Sequence, residues 1–210
     1  PAAIALDVAP RDFRHERFRY VSALNGVPTE GDLIQSIRFG RLHGGMPASP
    51  QLTDTQIRSL ADYIREIQRI GWLDVLRAEF ADDDDTSPEE LDEISHVRVK
   101  PRDAIHVVRP EIGFQRDLDT GRELYAANCA SCHGLTGRGD GLDKPLDERG
   151  KPLSVRDLTS GWFRGGSTIE EVFKRIRCGV PGTPMSATTA LTDDEVWQLV
   201  YYVRFLAGKR

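Results

Sequence analysis

Residues 129 to 133 read Cys-Ala-Ser-Cys-His, and these five carry the most specific chemistry in the 210-residue chain. Two thiols three positions apart can add to the two vinyl groups of one haem, and the adjacent imidazole can then sit under the iron. A thiol redox couple is the first alternative, but that motif usually opens a helix after a buried strand, and no apolar run precedes Cys129. Half of a zinc site is the second; it needs another Cys or His pair, which Cys178 alone cannot supply. Covalent haem attachment is the reading these residues favour.

Residues 116 to 208 resemble a class I cytochrome c domain. The resemblance rests on the helix Gly121-Arg-Glu-Leu-Tyr125 before the motif, on Cys129 to His133, and on Gly-Leu-Thr-Gly-Arg-Gly-Asp-Gly at 134 to 141. Arg-Asp-Leu at 156 to 158, Pro-Gly-Thr-Pro-Met at 181 to 185 and a closing helix from Leu191 continue it. The resemblance implies an all-α fold built around covalent haem, with His133 and Met185 as the axial iron ligands. A thioether suits that role, being a soft neutral ligand that favours ferrous iron and raises the reduction potential. A lone methionine is otherwise core filler. Pro184 and Gly182, however, put Met185 in a turn, and no histidine follows His133 to compete with it.

An internal repeat is the second informative feature. Ile37-Arg-Phe-Gly40, Met46, Leu52-Thr-Asp54, Tyr63 and Arg65 recur as Ile176-Arg-Cys-Gly179, Met185, Leu191-Thr-Asp193, Tyr202 and Arg204, displaced by 139 residues without a gap. Further back, Arg11-Asp-Phe13 and Phe18-Arg19 match Arg156-Asp-Leu158 and Phe163-Arg164 at a displacement of 145, so the first copy has a longer loop between Tyr20 and Glu30. The repeat divides the chain into an N-terminally incomplete cytochrome c-like domain at 1–72, an acidic linker or strap at 73–115, and a complete domain at 116–210. The counterpart of Cys129 falls about 16 residues before Pro1. We therefore expect this chain to be the C-terminal part of a longer precursor, the runner-up being a first domain that has lost its haem.

Met46 is by this alignment a candidate axial ligand of a second haem whose attachment segment lies upstream of Pro1. Gly45 and Pro47 give it the same turn character as Met185, while His43 is a competing imidazole three residues away. Trp162 and Arg164 are candidates to face the haem propionates, since indole and guanidinium are donors without acceptors. Ordinary packing of Trp162 and a solvated Arg164 are the alternative. Cys178 is unpaired and aligned with Phe39, which reads as a small buried hydrophobe.

The motifs are positioned by helices. Thr192-Asp-Asp-Glu195 is a capping box leading into the stripe Val196, Leu199, Val200 and Val203, closed by Gly208. Thr53-Asp-Thr-Gln56 repeats the design ahead of Ile57, Leu60, Ala61, Ile64 and Ile67, with an end expected at Gly71. Thr120 and Glu123 form a further box before Tyr125. The family resemblance adds that the first and last helices of a domain cross, with Gly121 at the close approach. Ser87, Pro88 and Glu90 begin a short helix after the Asp82–Asp85 acidic loop, and Val97 to Pro110 read as an extended strap.

Composition bounds the function. Charged residues make up 29% and hydrophobic ones 39%, and no apolar run approaches the ~20 residues of a membrane span. A net charge of −5 argues against nucleic acid as a partner and could steer a basic protein instead. Two domains of about 75 to 95 residues are each small for an independent core, and a covalent haem would supply apolar volume. The resemblance implies haem attachment outside the bacterial cytoplasmic membrane, hence a periplasmic electron carrier exchanging single electrons with protein donors and acceptors, within or beside a respiratory or dehydrogenase complex. A haem enzyme or ligand sensor would need a labile sixth ligand, and a haem-free first domain would be a docking module. No acid–base or nucleophile constellation is legible.

Overall fold

The computed structural model describes residues 10–41, 45–83, 85–111 and 117–208. Its chain order is α1 (Glu30–Phe39), α2 (Asp54–Glu79), α3 (Pro88–Arg98), α4 (Leu118–Asn128), α5 (Ala130–His133), a 3₁₀ turn at Leu158–Ser160, α6 (Ile169–Cys178) and α7 (Asp193–Leu206). Among the described residues all regular elements are helical, and β pairing is confined to isolated bridges such as Ala23 with Ala104. No helix is long and apolar enough among them to cross a membrane. The chain forms two compact units, Pro1–Ala104 and Ile105–Arg210.

In the first unit, α1 begins with a capping box in which Asp32 stands where Glu or Gln is usual. Thr29 N donates to Asp32 Oδ2 (2.9 Å) and Asp32 N to Thr29 Oγ1 (3.2 Å). Leu33 and Ile37 of α1 close on Ile57 and Ala61 of α2, all four buried. Thr53 and Gln56 cap α2 as expected. The helix does not stop at Gly71, however. It continues to Glu79 because Leu73 and Leu76 extend the apolar stripe and pack on Leu91 of α3. Gly71 serves a close approach instead: a Cβ there would lie 2.0 Å from the Arg14 carbonyl oxygen. Ser87, Glu90 and Pro88 start α3 as the sequence implies. Residues 73–104 thus pack with the first unit, and Asn25 ties the returning chain by donating to Lys100 O (2.9 Å) and accepting from Arg102 N (3.0 Å).

The second unit is organised on α7. Its Trp197, Val196, Leu199 and Val200 are at most 2% exposed. Helix α4 crosses α7 at Gly121, where a Cβ would come 2.7 Å from Gln198 O and 2.9 Å from Tyr202 Cβ. The Tyr125 and Tyr202 rings meet beside this crossing at 5.3 Å between centroids. Thr192 and Glu195 cap α7 as expected. The cap of α4 differs from the Thr120/Glu123 box: Asp117 accepts from Asp119 N (3.0 Å) and Thr120 N (3.1 Å). The helix starts at Leu118, so Thr120 already lies inside the first turn, where its hydroxyl donates to Asp117 (2.7 Å). The strap over 105–110 lies on this core, with Ile105 and Val107 packed against it and Trp197 Nε1 donating to Val108 O (3.1 Å).

Candidate functional site

Helix α4 delivers the pentapeptide. Cys129 N still donates to Tyr125 O (2.8 Å), and the chain then makes the single tight turn α5, with His133 N donating to Cys129 O (2.9 Å). Both thiols and the imidazole therefore issue from one turn. The glycine-rich segment after it folds back to satisfy the turn's carbonyls: Gly139 N donates to His133 O (2.8 Å), Gly141 N to Cys132 O (3.2 Å) and Asp143 N to Ser131 O (3.0 Å). Tyr125, buried in the core, donates its hydroxyl to Gly134 O (2.8 Å) and so anchors the far end of the turn.

His133 Nδ1 lies 3.1 Å from the Arg156 carbonyl oxygen. A carbonyl only accepts, so Nδ1 carries the proton and the Nε2 lone pair is available to a metal. Burial lowers the imidazole pKa from its ordinary 6.5 and so favours the neutral, ligating ring, while that same hydrogen bond opposes the shift. Cys129 and Cys132 are half-buried and neither is in a disulfide. Burial, with a lesser contribution from the Cys132 charge, pushes the Cys129 thiol up to about 11. That is opposite in sign to the depressed value by which the attacking cysteine of a thiol redox couple is recognised.

Met185 occupies a turn, as its Pro/Gly surroundings imply. Val180 N donates to Met185 O (2.8 Å), Thr183 N to Val180 O (3.1 Å) and Met185 N to Thr183 Oγ1 (3.2 Å). Arg177, which sequence reading assigned no role, holds this loop between α6 and α7. It is 7% exposed, donates to Thr188 O (2.7 Å) and Leu191 O (2.6 Å), and pairs with Asp193. Its signal was present in the repeated Ile-Arg-x-Gly motif. The segment following the pentapeptide reaches the methionine loop, since Glu148 N donates to Gly182 O (3.1 Å).

Trp162 is 58% exposed, Arg164 is exposed, and it is Phe163 that packs against the core. Arg156 Nε donates to Trp162 O (2.6 Å), fixing this turn next to the segment that orients His133. Cys178 is buried as expected, but for a reason other than its alignment with Phe39, which is itself 66% exposed. Met46 pairs with Arg41 in an isolated bridge, Arg41 N donating to Met46 O (2.7 Å) and Met46 N to Arg41 O (3.2 Å). Its 37% exposure equals that of Met185. His43 lies outside the described residues.

Residues 116–203 match the family model described as "Cytochrome C oxidase, cbb3-type, subunit III". The chain is 32% identical over 87 residues to a cytochrome c6 of Bryopsis maxima, covering 41% of this chain and 89% of that protein. It is also 30% identical over 129 residues to the cbb3-type cytochrome c oxidase subunit CcoP of Azospirillum sp. (strain B510), covering 55% of this chain. Identity to the cbb3-type oxidase subunit FixP of Azorhizobium caulinodans is 35% over 94 residues, 42% of this chain. The matches span only 39% and 27% of those two subunits' length. A chain of the Kuenenia stuttgartiensis reducing HAO-like protein complex is similar in structure, with a TM-score of 0.74 at 26% identity over 98% of this chain and 84% of that one.

The chain belongs to the cytochrome c family. Membership implies covalently bound haem c, and the described residues fit that group on their own chemistry: two unpaired thiols and a neutral imidazole with Nε2 available, all on one turn.

Proposed function

We propose that the protein is an electron carrier of the periplasm or outer side of the cytoplasmic membrane, in which residues 116–210 hold haem through Cys129 and Cys132 with His133 and Met185 as axial ligands. The observation that carries this reading is the turn 129–133 with its Nδ1-protonated histidine facing a carbonyl acceptor. Bound there, haem would supply a one-electron ferric/ferrous couple. The residues' work is to keep that couple six-coordinate: His133 is aimed by Arg156 O, and the Met185 loop is clamped by Arg177. A closed iron favours transfer over substrate chemistry. The relatives named as oxidase subunits support a place beside or within a respiratory complex, with other redox proteins as donor and acceptor.

Met185→Ala tests the carrier reading. The variant should lose the weak near-infrared sulfur-to-iron band of the ferric protein, fall in potential by on the order of 0.1 V or more, and gain carbon monoxide binding in the ferrous state, given the ~0.8 V range axial ligands command. Unchanged spectra, or carbon monoxide binding already present in the parent protein, would point to a sensor or enzyme with a labile sixth position. Trp162 and Arg164 are proposed to serve the propionates from the 161–166 turn. Trp162→Phe should then shift the reduction potential and the alkaline transition, and a variant matching the parent in both removes the assignment.

The first unit is proposed to be a second copy of the same domain, with Met46 an axial ligand of a second haem attached upstream. Several pairs at the 139-residue displacement support this. Arg38–Asp54 (2.6 Å) corresponds to the Arg177–Asp193 pair, and Ser49 N to Arg38 O (3.2 Å) to Thr188 N to Arg177 O (3.2 Å). Gly40 and Gly179, at φ 67° and 65°, each lead into the methionine turn.

A further inference from the structure

His133 and Met185 stand on segments with no helix in common, the first on α5 and the second in the loop between α6 and α7. Arg177 ties the methionine loop back to its flanks, and the loop's own turn is closed by Val180 N donating to Met185 O (2.8 Å). Both ties run within the α6–α7 segment. Residues 141–153, by contrast, touch both places. At one end Gly141 N donates to Cys132 O (3.2 Å) and Asp143 N to Ser131 O (3.0 Å). The chain then makes a tight hairpin, in which Asp147 N donates to Lys151 O (2.8 Å), Leu153 N donates to Pro145 O (2.8 Å), and Leu146 pairs with Pro152. Asp147 Oδ1 accepts from Arg149 N and Lys151 N, each at 2.9 Å, and the prolines at 145 and 152 stiffen the two arms. The tip of this hairpin meets the methionine loop. Glu148 N donates to Gly182 O (3.1 Å), and the Glu148 carboxylate covers the same glycine so closely that a Cβ there would stand 2.7 Å from Oε1 and 2.8 Å from Oε2.

We infer that the 145–153 hairpin is a latch on the methionine loop, with Glu148 as a positioning residue for the Met185 sulfur. It joins the two ligand-bearing segments by a path of hydrogen bonds that runs outside the long helices. Its consequence at the iron rests on the reading of Met185 as an axial ligand; the latch itself rests on the hydrogen bonds alone. A thioether carries no charge to hold it at a metal, so its occupancy depends on how seldom the loop that presents it opens. Two contributions of Glu148 are separable. Its backbone donor is kept by every residue except proline, and its side-chain cover is kept by glutamine.

The test uses the full-length, haem-loaded ferric protein and the variants Glu148→Gln, Glu148→Pro and Asp147→Ala. Hydrogen exchange at the amides of Val180 and Thr183 reads the loop, and those of Leu199 and Val200 in α7 serve as reference. Added imidazole, followed by loss of the near-infrared sulfur-to-iron band, reads how readily the sulfur leaves. Glu148→Pro removes the donor, and Asp147→Ala removes the acceptor that closes the hairpin. In both, exchange in the loop should quicken about fivefold and imidazole should bind about fivefold more tightly, as loss of one hydrogen bond implies, with α7 unchanged. Glu148→Gln should match the parent in both readouts. Loop exchange and imidazole affinity indifferent to Glu148→Pro and Asp147→Ala overturn the latch. Acceleration that extends equally to α7 also overturns it, since that marks general unfolding, and a Glu148→Gln protein behaving like Glu148→Pro overturns the role of the backbone donor. A parent protein without the band, but with loop exchange quickened in both variants, removes Met185 from the iron and leaves the latch standing. A band present with loop exchange unmoved removes the latch alone.

Discussion

Replacing His133 with alanine should leave almost no holoprotein. The side chain is the nitrogen donor on the turn that also carries both thiols, and it is pre-set for ligation by three features at once. Its Nδ1 is committed to Arg156 O at 3.1 Å, its ring is partly buried, and that burial lowers its pKa, favouring the neutral form. An alanine leaves both thiols able to react but removes the proposed nitrogen ligand, so whatever product forms should be high-spin and readily degraded. The check is the yield of haem-staining polypeptide and the ferric spectrum of any product, with Cys129→Ala as comparison. That variant keeps His133 and should retain a low-spin, singly attached form. A His133→Ala protein recovered at normal yield with an unchanged low-spin spectrum would remove His133 from the ligand set.

Gly121→Val should unfold the second unit at markedly lower denaturant. An alanine there gains up to about 1 kcal/mol in helix propensity. Yet even its Cβ would stand 2.7 Å from Gln198 O, a backbone atom that cannot swing aside, and 2.9 Å from Tyr202 Cβ. Valine adds two methyl groups to that crowding. Overpacking of this kind costs about 1–3 kcal/mol or more, so the propensity gain is outweighed. Chemical unfolding followed by Trp197 fluorescence should show the midpoint fall for Gly121→Ala and further for Gly121→Val. Midpoints equal to the parent's would mean that α4 and α7 can separate without loss. Because α4 leads directly into Cys129, the valine variant should also carry less haem.

Features carried by near neighbours in the chain were legible from the residues alone. The boxes at Thr53/Gln56, Ser87/Glu90 and Thr192/Glu195 need only three-residue spacing, and all three form. The turn character of Met185 follows from Pro184 and Gly182, and the one-turn grouping of Cys129, Cys132 and His133 from their spacing. Even Gly121 was found, through the family resemblance, before any crossing could be measured.

What escaped the sequence depended on residues far apart along the chain. Gly71 looks like a helix stop until Arg14 is seen pressed against it and Leu73 and Leu76 are seen to find Leu91. Arg177 is one basic residue among 28 lysines and arginines until the fold brings Thr188 O, Leu191 O and Asp193 around its guanidinium. Phe39 and Cys178 are equivalent in the repeat yet differ in exposure from 66% to 4%. The sequence by itself determined the grouping of two thiols and an imidazole on one turn and the helix boundaries set by local caps, because hydrogen bonds within a turn need no distant partner. Only the tertiary structure decided which apolar residues are covered and which proton His133 carries, because burial and the Arg156 acceptor are contributed by chain that folds back from elsewhere.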